Sequence, residues 1–348
     1  MLLTILITFI SLTGLIILHE LGHFVLAKKF GVKVEEFGIG YPPRLIGKKI
    51  GETVYSLNLL PFGAFVKILG EDAQRPEEER LDDPRSFNKK PIWQRTLIVL
   101  GGVVSFWLIS FLIFSLVPTG VTVSVVRDNS PAALSGLVEG DIIEEVKVDN
   151  RGYSIFKIEE AQRIINQNRG KEINLIVLRG KEKKEISVTP RISPPPGEGA
   201  LGIGLSYGPS QRNYPFYQIP LKGFLRTTEF TFEVIKGWVS AISNIVKGKP
   251  TNVQVMGPVG IFSLSAEILK LGTKYFLLFL SLISIYVALF NILPIPALDG
   301  GKLLFLAIEK FKGKPVNPKI EQNITAIFFA LFILLAIWVT VKDITRLF

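Results

Sequence analysis

The sequence predicts a polytopic α-helical membrane protein: four transmembrane helices, an inserted extracytoplasmic α+β domain and a membrane-associated β-hairpin. Three observations carry that expectation. Four long apolar runs approach or meet the roughly 17–25 residues needed to cross a bilayer. Of the 348 residues, 48% are hydrophobic. The lysines and arginines scatter or flank those runs, and no basic stripe with interleaved aromatics occurs. The formal charge of +10 therefore reads as membrane-flanking charge, and a nucleic-acid surface is excluded. The absence of cysteine excludes disulfides, thiolate metal sites and thiol nucleophiles.

Leu2 to Leu18 is free of charge and continues to Ala27, where Lys28-Lys29 stops it. It lacks the basic start and small-residue cleavage site of a secretory leader, so an uncleaved helix is expected. Next, Glu52–Leu60 and Ala64–Leu69, joined by Pro61-Phe62-Gly63, read as a hairpin just inside the membrane. The charge-rich run Glu71 to Asp83 reads as solvated surface. Leu97 to Val117 forms the second span, behind Lys89, Lys90 and Arg95. Tyr275 to Leu293 forms the third and ends in a proline-broken stretch. Ile324 to Val341, slightly short, forms the fourth.

Charge sets the orientation. The first loop carries Lys28, Lys29, Lys33, Arg44, Lys48, Lys49, Arg85, Lys89, Lys90 and Arg95, so it belongs in the cytoplasm and the chain starts outside. Residues 118–273 then lie outside and the Lys302–Lys319 loop, with five lysines, inside. The first and third helices thus run in the same direction.

In the external segment, Val121–Val126, Ile173–Leu178 and Glu185–Thr189 alternate as strands, and Ile158, Ala161 and Ile165 have helical spacing. Ser130–Ile143, reading SPAALSGLVEGDII, resembles the signature of a bacterial PDZ domain, a module that binds extended peptides by strand addition. Pro194–Gly197 and Gly199–Gly208 read as linker. Leu221, Phe224, Leu225, Phe232, Ile235, Trp238, Val239, Ile242 and Ile245 recur at helical spacing, as an amphipathic helix on the outer membrane surface would require. The expected division is an N-terminal membrane region (1–118), a PDZ domain (119–192), a linker (193–220), the amphipathic helix (221–250) and a C-terminal membrane region (251–348).

The chemistry sits in Leu18-His19-Glu20-Leu21-Gly22-His23, which holds both histidines of the chain. On a helix, positions four apart face one way, so the two imidazoles can share a metal ion while Glu20 activates its water. Packed membrane histidines are the plain alternative, but ionisable groups in hydrocarbon are costly and usually functional. A hydrolytic zinc site normally takes three protein ligands, so with no further His and no Cys the third must be a carboxylate. Asp299 qualifies: it follows a helix broken by Pro294 and Pro296, beside Gly300-Gly301, at the same depth as His23 if helical. A non-catalytic rival, a zinc transporter or a PDZ scaffold with a vestigial site, would spread polar groups over several depths or lack Glu20.

With His-Glu-Leu-Gly-His at 19–23 and Asn-x-x-Pro-x-Pro-x-Leu-Asp-Gly-Gly at 291–301, the chain resembles the site-2 protease family, of the bacterial regulator-of-sigma-E protease type. Phe37–Gly40, Leu59–Lys67 and Met256–Gly260 add to the resemblance. It implies one zinc ion held by His19, His23 and Asp299, with Glu20 as general base. Asn291, and with it Gly63 and Pro296, would bind substrate. The implied substrates are single-span membrane proteins such as anti-sigma factors, or remnant signal peptides. The setting is the lipid bilayer of the bacterial cytoplasmic (inner) membrane, with the PDZ domain contacting the substrate's extracytoplasmic part. Two departures stand out. Gly101-Gly-Val-Val-Ser105 replaces the Gly-Pro-x-x-Asn of many members, a change expected to affect packing but touch no ligand. One PDZ domain stands where some relatives carry two.

Overall fold

A computed structural model of the chain describes residues 2–71, 83–149, 151–210, 215–250 and 256–347. Most of the charge-rich run, 72–82, lies outside these. In chain order the first elements are α1 (Leu2–Lys29), β1 (Val34–Ile50), β2 (Thr53–Ile68) and α2 (Ile92–Leu116). They are followed by β3 (Thr119–Val126), α3 (Pro131–Leu134), β4 (Ile142–Val148), β5 (Arg151–Ser154), α4 (Ile158–Gln167), β6 (Ile173–Arg179), β7 (Glu182–Val188) and β8 (Ile203–Pro209). The chain closes with α5 (Ile219–Val246), α6 (Pro258–Leu271), α7 (Thr273–Asn291), α8 (Asp299–Lys312) and α9 (Pro318–Leu347). Two compact units result, residues 1–113 with 224–348, and residues 114–223.

Among the described residues of the first unit, α1, α2, α7 and α9 are the four helices long and apolar enough to cross a membrane. Leu15 of α1, Phe106 of α2, and Phe276, Leu280 and Ala288 of α7 form one buried apolar cluster. A second gathers Ala27, Val34, Ile68, Ile98, Val99 and Leu306, tying α1, the strands, α2 and α8 together. Prolines 294 and 296 end α7, because neither can donate to a continuing helix. After that break α8 starts anew, with Asp299 in its first turn, Lys310 and Lys312 in its last, and Gly313 in the left-handed region as its C-terminal stop. Neither α6 nor α8 stands out in the sequence, since both are short. Asp343 of α9 holds α6 in place, accepting from the N–H groups of Gly257 (2.9 Å) and Gly260 (2.7 Å) at its start.

The hairpin differs from the expected one. The reversal is at Gly51 (φ 61°), and its arms are Val34–Ile50 and Thr53–Ile68. Pro61-Phe62-Gly63 is a bend inside β2, made possible by Gly63 at φ 92°. Because both strands bend, Phe37 pairs with Val66 on one side and Tyr55 on the other. The sheet docks on α1 through Phe24, whose ring meets Phe37 (5.4 Å between centroids) and Tyr55 (6.1 Å). Lys28 closes the contact with an ion pair to Glu52 at 2.6 Å.

The second unit is a six-stranded sheet of order β7-β6-β4-β3-β8, with β5 on β4. Its core includes Val121, Ile143, Ile155, Ile164, Leu175 and Leu201. Ser130 caps α3 by accepting from the Ala133 N–H, with Pro131 at the first helical position. Buried Asp141 accepts from the Val138 N–H and pairs with Arg179, which fixes the Gly136–Gly140 turn. One reading needs correction: Gly199–Gly208 is largely not linker. Strand β8 starts within it at Ile203 and pairs with β3 from Thr119↔Pro209 to Val126↔Ile203.

In the first unit's part of α5, the apolar side chains Leu225, Phe232, Val239, Ile242 and Ile245 point outward and are exposed. Arg226, by contrast, is turned inward over the Phe230 ring (4.6 Å) and paired with Glu229 at 2.6 Å.

Candidate metal centre

Helix α1 stacks His19 above His23 on one face, with their Nε2 atoms 3.3 Å apart. Oδ2 of Asp299, from the first turn of α8, lies 3.5 Å from each. Ligand atoms about 2.0–2.1 Å from a tetrahedral ion stand about 3.3–3.4 Å from one another, so this triangle has the dimensions of one face of a zinc tetrahedron. All three residues are nearly buried, and Oδ2 of Asp299 is sequestered from solvent without accepting a hydrogen bond. A buried acceptor so placed is costly unless a cation satisfies it. The residues fit a divalent ion.

Each candidate ligand is oriented by a neighbour. Nδ1 of His23 donates to the Ile98 carbonyl of α2 at 2.9 Å, which leaves Nε2 with its lone pair toward the site. His19 is stacked on Phe106 at 4.7 Å between centroids, so packing fixes that ring. Helices α1 and α2 approach closely because glycine meets glycine: a Cβ on Gly101 would come within 2.6 Å of the Gly22 carbonyl oxygen. A Cβ on Gly102 would overlap His19 Cε1 and His23 Nε2. The Gly101–Ser105 departure therefore does touch the two candidate ligand histidines, contrary to the sequence expectation. Its Ser105 hydroxyl donates to the Gly101 carbonyl at 2.9 Å, keeping the side chain against its own helix.

Asp299 is set by the broken segment before α8. Ala297 takes a left-handed φ of 84°, a strained value for a residue with a side chain, two positions before the carboxylate. Gly301 admits the backbone of Ile295 and Pro296 so closely that a Cβ would stand 2.6 Å from the Ile295 carbonyl oxygen. Pro296 is buried in this packing, and Asn291 is the half-buried last residue of α7. Gly63 lies opposite the Tyr41 ring, 3.0 Å from where its Cβ would be. Burial, and then the charge of Glu20, push the Tyr41 phenol above its usual pKa. Ile98, Gly102 and Phe106 are the site residues that the sequence reading missed.

A candidate metal site with an HExxH pair on a bilayer-length helix is what a membrane-embedded metalloprotease requires. The chain belongs to Peptidase family M50, whose family model matches residues 7–335. It is 33% identical over 341 residues to a protein of Clostridium perfringens provisionally named a zinc metalloprotease, with 96% of each chain covered. A similarly named protein of Clostridium acetobutylicum is 36% identical over 335 residues, covering 95% of this chain and 94% of the relative. The regulator of sigma-W protease RasP of Bacillus subtilis is 29% identical over 431 aligned positions, covering 98% of both. The protein is thus a zinc-dependent, multi-pass membrane metalloprotease.

Proposed function

We propose that this protease cuts peptide bonds within the transmembrane segments of single-span membrane proteins, with anti-sigma factors and remnant signal peptides as its substrate classes. The observation that carries this reading is the triangle of His19, His23 and Asp299 donor atoms at 3.3, 3.5 and 3.5 Å, two of the three residues standing on a helix long enough to span the bilayer. In this reading those three residues hold the zinc ion. When bound, zinc polarises a carbonyl and acidifies water toward a pKa of about 7. Glu20 accepts the proton of the attacking water and delivers it to the amine of the departing segment, so the two transfers balance. Asn291, Gly63 and Pro296 contact the substrate. A transmembrane helix shields its own peptide bonds, so it must first be drawn into extended form, and the bent hairpin offers strand hydrogen bonds in exchange.

The proposed setting is the bacterial inner membrane, with the N-terminus and residues 118–273 outside and the zinc near the cytoplasmic face. Loop charge supports this. The inserted unit acts as a PDZ domain. Supporting this is β8, the end strand of its sheet, close to α4 through a hydrogen bond from the Ile158 N–H to the Tyr207 hydroxyl at 3.2 Å. A peptide could add there as a further strand.

The test is purified protein in lipid vesicles with a single-span peptide. We expect about one zinc per chain and cleavage inside the span. Glu20→Gln should keep its zinc and lose activity by about a hundredfold or more, since an amide cannot take the proton. Cleavage confined to residues outside the span, or undiminished cleavage by Glu20→Gln, would refute the assignment.

A further inference from the structure

Arg95 and Glu309 form a largely buried ion pair between α2 and α8. Arg95 in the first turn of α2 is 6% exposed, and its Nη1 donates to Oε2 of Glu309 at 2.9 Å while Nη2 donates to Oε1. Two parallel bonds of this kind fix direction as well as distance. Burying such charges is expensive, and replacing a buried pair by apolar residues is often stabilising, so fold stability is a weak reason for its presence. What the pair connects supplies a better one. Arg95 stands seven residues before Gly102, on the same face of α2, and three before Ile98, whose carbonyl orients His23. Glu309 belongs to α8, which Asp299 begins.

Near its start α8 is seated by Gly300 and Gly301 on the backbone of Leu293 to Pro296. Farther along, an open cavity of about 760 Å³ lies between α2 and α8, lined by residues including Trp93, Leu97, Leu303 and Lys310. Beside this cavity α2 and α8 touch through Leu306, which packs with Ile98 and Val99, and the Arg95–Glu309 pair adds a directed bridge between the two helices. Ten residues of helix separate Glu309 from Asp299, about 15 Å. Letting the far end drift by about 4 Å would tilt α8 by roughly 15°, within the range of about 10–20° at which a ligand constellation loses its geometry.

We propose that Arg95 and Glu309 are positioning residues for the metal centre: their ion pair holds α8 at the angle that brings Asp299 onto the two histidines. This rests on Asp299 being the third ligand.

The experiment uses the full-length protein in detergent, loaded either with zinc or with cobalt as a spectroscopic probe. Glu309→Gln and Arg95→Met are compared with wild type, with the charge-exchanged double variant Arg95→Glu/Glu309→Arg, and with Asp299→Asn. We expect each single variant to weaken zinc binding by about 10–100-fold in chelator competition. Each should also alter the visible cobalt spectrum and lower kcat with KM little changed, while the exchanged pair recovers spectrum and affinity. Folded single variants with the wild-type cobalt spectrum and zinc affinity would overturn the proposal. If the single variants do not fold, the exchanged pair decides. A folded exchanged pair with the wild-type spectrum upholds the proposal, whereas an altered spectrum or a failure to fold overturns it. Asp299→Asn separates the two levels: an unchanged spectrum there would remove Asp299 from the site itself.

Discussion

Gly102 shows how much of the metal centre depends on an atom that is missing. Any Cβ there overlaps both imidazoles, so Gly102→Ala must push α1 from α2 or turn the histidines off the ion. We expect zinc affinity to fall by at least about tenfold, as for other losses of ligand support, with the helices still inserted. Metal analysis after dialysis against a weak chelator measures it, and full zinc retention would show that the helices separate without cost. The three residues of the candidate site could be picked out in the sequence. His19 and His23 declare a shared face by spacing alone, and Asp299 is marked by the prolines and glycines around it. Gly102, Ile98 and Phe106 were not legible, because their roles arise only where α2 meets α1. A glycine or isoleucine in an apolar span carries no sign of which neighbour it will face.

Among the elements, the hairpin was the hardest to read. Val34–Ile50 contains Gly38, Gly40, Pro42, Pro43 and Gly47, punctuation that ordinarily argues against a strand. The structure accommodates it because β1 is bent, and Asn58 secures the bend. This buried side chain donates to the carbonyls of Ile39 (3.3 Å) and Gly40 (3.2 Å), next to Gly40 at φ 78°. Asn58→Ala leaves those carbonyls without this donor, a local cost of about 1–3 kcal/mol. Since 1.4 kcal/mol is about a factor of ten, hydrogen exchange over residues 36–41 should speed up about tenfold or more. If the bend holds substrate as proposed, KM should rise more than kcat falls. Unchanged exchange would mean that the bend is secured by its strand pairing instead. The α2–α8 connection belongs to this scale too, and it could not be read because Arg95 and Glu309 lie 214 residues apart in a single chain.

For the whole molecule, the order of spans and the inserted domain followed from hydropathy and alternation. The last strand of the domain did not, because Gly202, Gly204 and Gly208 make β8 read as linker. That strand decides how the domain can be removed. Cutting at 121–190 would strand β8 without its partner β3. The Ser210 N–H already donates to the Pro118 carbonyl at 2.7 Å, so deleting residues 119–209 joins two residues that are in contact. The domain's buried core cluster lies entirely within the deleted segment. In the proposed orientation this domain stands on the side from which a substrate ectodomain approaches, and we propose that it gates access by size, as mobile elements often do at protected sites. The deleted protein should then cleave a full-length substrate about as well as the intact protease cleaves the same substrate trimmed of its ectodomain. Cleavage of the trimmed substrate itself should not change. A recruiting domain predicts the opposite, slower cleavage of both forms after deletion. Full-length substrate that resists cleavage equally before and after deletion would rule out the size gate.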